Sequence, residues 1–169
     1  MKSIVIYWLP VFIGAAIIFS FSAQPYEKQD LKPTLSKYID EEQVAKRFED
    51  VKVYYANKEV SIEALGTTKF IEFFIRKFAH FSVFFMLCFL IFRALNVTAL
   101  KLGMKSLIAL LVTGIYAALD EYHQSFTENR TPLIEDVLLD CFGGIVGLIV
   151  AIMMYHIIIP KIKKNRTIT

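Results

Sequence analysis

The chain has 169 residues, a formal net charge of +3, 56% hydrophobic residues and a mean hydropathy of +0.50. This is well beyond the composition of ordinary soluble domains, so the chain is read as one membrane domain over residues 1–169. Its basic residues are dispersed or sit at the edges of apolar runs, which argues against nucleic-acid binding.

The first apolar run, Ile4 to Phe21, carries no charge. Lys2 before it and Phe21-Ser22-Ala23 at its end resemble a signal peptide. The run is longer than a usual signal core, and bulky Phe21 stands where cleavage wants a small residue, so it is read as a retained helix over about 4–22. Pro10 and Gly14 are kink sites that a membrane helix tolerates.

The next segment, about 24–70, has balanced acids and bases and is an outer loop with structure of its own. Between Asp30 and Asp50, Leu31, Leu35, Ile39, Val44 and Phe48 recur among charges, with Pro33 suited to a first helical turn. Short amphipathic helices lying on the outer leaflet are expected there. Val51 to Tyr55 and Val60 to Ile62 flank Ala56-Asn57-Lys58-Glu59, a candidate β-hairpin that must pack on something to be stable. Phe70 to Phe74 then reads as an interfacial lead-in to a second helix over about 76–95, whose core, Phe78 to Phe92, has only His80 as an ionisable group.

The third helix, about 103–124, contains the uncharged run Ser106 to Leu119; the fourth, about 134–159, contains Cys141 to Ile159 with only His156. Each is long enough to cross about 30 Å of hydrocarbon. The fold class is therefore an all-α membrane protein, a four-transmembrane-helix bundle. Lys2, then Arg93, Lys101 and Lys105, then Lys161, Lys163, Lys164 and Arg166 flank one side, which puts both termini in the cytoplasm and the 24–77 and 124–132 segments outside. Cys88 and Cys141 lie in the apolar runs, far from any paired-cysteine spacing, and read as small packing residues.

This topology gathers the polar residues at the outer ends of the helices. Helix one leaves at Ser20, Ser22 and Gln24, and helix two arrives past Arg76, Lys77 and His80. Helix three ends in Asp120, Glu121 and Gln124, and helix four opens past Arg130 with Glu135, Asp136 and Asp140. Carboxylates at membrane depth are costly and usually face a protein interior or a water-filled cavity. Lys77 with His80, Asp120 with Gln124, and Asp136 with Asp140 are spaced three or four apart and can each point together into the bundle. Gly143 to Gly147 and Gly114 to Ala118 have the small-residue spacing that lets helices approach closely.

His80, Asp120 and Asp136 are the candidate acid and base groups; Gln24, Arg76, Lys77, Glu121, Gln124, Arg130 and Asp140 are the candidate ligand-binding groups. The same acids could form a proton-linked or cation-binding site, or be neutralised by Lys77, Arg76 and Arg130 in a structural network. His123 and His156 read as incidental, and no metal is assigned. The sequence specifies no cofactor and no oligomeric state. There is no GxSxG, HExxH or P-loop, and Ser82 lies on a different helical face from His80.

Phe19-Ser20-Phe21-Ser22-Ala23-Gln24-Pro25, Arg76-Lys77-Phe78-Ala79-His80-Phe81 and Asp120-Glu121-Tyr122-His123-Gln124-Ser125-Phe126, followed by Arg130, Asp136 to Asp140 and Gly143, Gly144 and Gly147, resemble in order the VanZ-like membrane proteins. The resemblance covers nearly the whole chain. It implies a multi-pass protein of the bacterial cell membrane, in a family named for tolerance to teicoplanin and without an established activity. Three classes follow: a binder of a membrane lipid or lipid-linked wall precursor that protects the envelope, an enzyme on such a lipid using His80 and Asp136, and a small ion or proton transporter. The transporter ranks last, because the inner halves of the helices lack polar residues.

Overall fold

The computed structural model describes residues 2–127 and 130–158. Within them, four helices are long and apolar enough to cross a membrane: Val5–Ser22, Thr67–Leu95, Leu102–Gln124 and Ile134–Ile157. The element order is α1 (Lys2–Ser22), a 3-10 turn (Tyr26–Gln29), α2 (Lys32–Tyr38), α3 (Glu41–Phe48), β1 (Val53–Tyr55), β2 (Lys58–Val60), α4 (Ile62–Leu65), α5 (Thr67–Leu95), α6 (Leu102–Gln124) and α7 (Ile134–Ile152). A π-helical turn, Met153–Ile158, continues α7. Ile159 and the basic run Lys161 to Arg166, on which the cytoplasmic placement of the C-terminus leans, lie outside the described residues.

The 24–70 segment has the expected short helices and a hairpin whose turn is shorter than expected, with Lys58 and Glu59 paired in the second strand. Asp40 caps α3 by accepting a hydrogen bond from the Gln43 N–H at 3.1 Å. Val53 pairs with Val60 and Tyr55 with Lys58 across a two-residue turn. Ala56 and Asn57 in that turn have φ of 49° and 60°, the primed-turn geometry that matches strand twist. The hairpin docks on α5, with the Tyr55 ring 5.3 Å from Phe73, edge to face.

One boundary differs from the sequence expectation. The second membrane helix starts at Thr67, nine residues before the expected position, so the residues read as a lead-in are its first turns. Phe70 is 3% exposed and Glu72 2%, beneath the outer segment: Phe70 meets Phe48 and Phe74, and Glu72 is bound by Arg76 one turn on. With the charge partnered and the aromatic buried, nothing stops the helix there.

α5 and α7 run parallel and form the most extensive helix contact, with α6 antiparallel to both and α1 packed on α5 and α6. Their pairing holds one register: Lys77 meets Asp136, His80 faces Asp140, and Gly143 and Gly147 lie against the Phe81 and Phe85 backbones. A Cβ at either glycine would overlap the facing carbonyl oxygen, so the approach requires glycine. Phe84, Cys88, Phe92, Ala109, Ala117 and Ala151 fill the centre. Cys88 and Cys141 are both free thiols. The Tyr116 hydroxyl donates to the Ala15 carbonyl at 2.6 Å, fastening α1. The exposed large residues of α1, among them Val5, Ile6 and Phe12, form the apolar face expected toward lipid.

Candidate functional site

The Ser22 end of α1, the Thr67 end of α5, the Gln124 end of α6 and the segment before α7 enclose a partly open cavity of about 280 Å³. Ile17, Ile18, Phe21, Ala79 and Val83 form its apolar wall. Ser22, Gln29, Arg76, His80, Asp120 and Arg130 supply its polar groups.

A continuous chain of hydrogen bonds runs along the polar side. The Arg76 guanidinium donates to Glu72 Oε1 at 3.0 Å, to the Gln29 carbonyl at 2.6 Å and to Gln29 Oε1 at 3.4 Å. Arg130 donates to the same Gln29 Oε1 at 2.5 Å and to Gln124 Oε1 at 2.8 Å. Gln124 Nε2 donates in turn to Asp120 Oδ2 at 2.9 Å. Two guanidinium groups thus converge on one neutral amide oxygen, and among the described residues no carboxylate lies within 4.0 Å of Arg130. Burial, and then the neighbouring Arg76 charge, lower the Arg130 pKa from its ordinary value. A guanidinium keeps its proton in a protein, so Arg130 remains charged.

A second group lies between α5, α7 and the hairpin. Asp136 accepts from both the Lys77 ammonium and the Tyr55 hydroxyl. Lys77 also stands over the Tyr55 ring at 4.6 Å and the Phe73 ring at 5.4 Å. Burial, and then the bond to Asp136, raise the Tyr55 pKa above its ordinary value. Asp136 is therefore committed to a latch that holds the hairpin on the bundle.

His80 faces Asp140. Its Nδ1 is 3.6 Å from Asp140 Oδ2, and Asp140 is 1% exposed. Glu121 Oε1 accepts from the Leu133 N–H at 2.6 Å and pins the start of α7. Among the described residues, no three His, Cys, Asp or Glu side chains converge on one point to hold a metal. The carboxylates that a cation would need are divided among Lys77, Tyr55, His80, Gln124 and the Leu133 amide.

The structure brings Arg76, His80, Asp120 and Arg130 together at the cavity and puts Gln124 behind them. Gln24, half-buried at the end of α1, is not among the lining residues; Gln29, five residues on, lines it instead. Gln29, Tyr55 and Glu72 were not picked out from the sequence. Glu72, alone among aromatics and four residues before Arg76, carried a helical-pair signal; Gln29 and Tyr55 carried none.

Chemically, an apolar wall beside two convergent guanidiniums suits a ligand with a hydrocarbon tail and an anionic head. His80 and Asp120 add groups able to move protons. A family model described as VanZ/LLP1 matches residues 5–156, nearly the whole chain, and the chain belongs to that family. No curated protein and no solved structure matches it.

Proposed function

We propose that the chain, as a member of this family in a bacterial cell membrane, holds the anionic head group of an outer-leaflet lipid or lipid-linked wall precursor in its cavity. By doing so it protects the envelope against lipophilic glycopeptides such as teicoplanin. Both termini are cytoplasmic in this reading, as the Lys and Arg flanks indicate, which opens the cavity toward the outer leaflet.

The observation that carries the reading is the meeting of Arg76 and Arg130 at Gln29 Oε1. Glu72 balances Arg76, whereas among the described residues Arg130 meets only the amide oxygens of Gln29 and Gln124; a phosphate oxygen would bring Arg130 a negative partner and fits the guanidinium fork. Gln29 is the group such an oxygen would displace. A second reading, an enzyme on the same lipid, is favoured by His80 and Asp120 lining the same cavity.

The test is teicoplanin and vancomycin susceptibility of bacteria expressing wild type beside Arg130→Gln, His80→Gln and Asp120→Asn at matched membrane levels. It is paired with binding of phosphatidic acid and phosphatidylglycerol to the purified chains by native mass spectrometry. Protection and binding both lost in Arg130→Gln is the expected result. Protection that persists in Arg130→Gln refutes the reading.

A further inference from the structure

We propose that the cavity is a phosphoryl-transfer site in which the His80 imidazole is the nucleophile toward a lipid phosphomonoester, positioned by Asp140. The inference rests on the head-group reading above and adds a reaction to it.

The geometry at His80 is the first support. Its Nδ1 is buried and turned to Asp140 Oδ2 at 3.6 Å, while the ring itself lines the cavity. Nε2 is then the nitrogen left on the cavity side. A ring that keeps its proton on Nδ1, toward a buried carboxylate, presents the Nε2 lone pair outward. Asp140 is free for this task, because Lys77 and Tyr55 hold Asp136.

The second support is the charge arrangement in the same cavity. Negative charge in phosphoryl transfer resides on the non-bridging oxygens, and catalysis is mostly positioning and electrostatic stabilisation of them. Arg76 and Arg130 converge at one point of the lining and can take two of those oxygens. The Asp120 carboxyl lines the cavity as well, oriented by Gln124 at 2.9 Å. The apolar wall from Ile17 to Phe21 takes the hydrocarbon tail.

In the first step Nε2 attacks phosphorus. The N–P bond forms, the P–O ester bond breaks, and its electron pair leaves on the glyceride oxygen, which takes a proton relayed from solvent through the Asp120 carboxylate. In the second step water attacks the phosphohistidine and the N–P pair returns to Nε2. Asp120 takes the water proton, and inorganic phosphate leaves. Water is the only co-reactant in this balance.

The experiment uses the full chain in nanodiscs with dioleoyl phosphatidic acid carrying ³²P, beside glycerol phosphate as a soluble ester. Wild type is expected to release phosphate from the lipid and to carry an acid-labile, base-stable label. His80→Asn should lose both by at least about 100-fold, the scale of a positioned proton-transfer or nucleophilic group, while still binding the lipid. Asp140→Asn should lower kcat with KM nearly unchanged, which a merely structural role would not produce. Lipid bound by wild type without phosphate release or label overturns this inference and leaves the binding reading standing; no lipid binding overturns both. Release that persists in His80→Asn overturns the nucleophile. Equal turnover of glycerol phosphate overturns the assignment to a lipid.

Discussion

Gly147→Ala tests whether backbone approach sets the α5 to α7 distance on which the site is built. A Cβ at this position would overlap the Phe85 carbonyl oxygen and lie 2.9 Å from its carbonyl carbon and 3.1 Å from its Cα. Against an optimum of about 3.5–4.0 Å between carbons, the helices must part by roughly 0.5–1 Å. The atoms in the way are backbone, so no side chain can swing aside. Overpacking costs about 1–3 kcal/mol, and stiff backbone contacts favour the upper part of that range. Alanine returns up to about 1 kcal/mol of helix propensity. The net loss is then about 1–2 kcal/mol, a factor of roughly 5–30 in the folded ratio. Equilibrium unfolding in bicelles, followed by steric trapping, reads this directly. Gly103→Ala is the control, since nothing lies within 4 Å of its Cβ, and it should match wild type or slightly exceed it. Gly147→Ala as stable as Gly103→Ala would refute the reasoning.

Gly143→Ala, one turn from Asp140, meets the Phe81 backbone and should both destabilise by about 1–2 kcal/mol and draw His80 away from Asp140; unchanged stability in the same assay counts against the shared register. Arg130→Gln removes a guanidinium that contributes charged hydrogen bonds worth about 1.5–3 kcal/mol each, so phosphatidic acid affinity should fall about 10- to 150-fold for the chain that remains folded, and unfolding in bicelles should show a loss of stability of about 1–3 kcal/mol from its bonds to Gln29 and Gln124. Tyr55→Phe probes the latch through pH. Because the folded Tyr55 pKa is raised by burial and by Asp136, its stabilisation is fully present below the ordinary value near 10 and is lost as pH rises from there toward the higher folded value. The gap in unfolding midpoint between wild type and Tyr55→Phe, followed by Trp8 fluorescence, should therefore be constant up to about pH 10 and narrow above it. A gap that keeps its size at higher pH removes Tyr55 ionisation from the account.

The hairpin and the short outer helices were legible because their signals are local. Asn57 between two β-rich runs, and Leu31, Leu35, Ile39, Val44 and Phe48 recurring among charges after Pro33, each act within a few residues. The start of α5 was not, because Lys69, Glu72, Arg76 and Lys77 make its first turns look like a water-facing segment. Only the 24–70 segment folding over Phe70 and Glu72 buries that stretch of the helix. The site shows the same division. Helical spacing put Asp136 and Asp140 on one face, and Lys77 and His80 on another. Which acid faces His80 depends on the axial offset between α5 and α7, and a slide of one turn would exchange the partners.

What the sequence determined by itself is the architecture and the end of the bundle at which the polar groups gather. An apolar run of spanning length has one stable solution in hydrocarbon, a helix that satisfies its own backbone, and charges can then gather only at the ends or in the interior. What only the tertiary structure decided is the pairing: Asp140 rather than Asp136 at His80, Gln29 rather than Gln24 at the cavity, and two arginines on one amide oxygen. Those pairings join residues from 47 to 101 positions apart. The His80–Asp140 pairing rests on backbone approach at Gly143 and Gly147, close packing that no periodicity encodes, and the Gln29 pairings rest on the 24–70 segment folding back over α5.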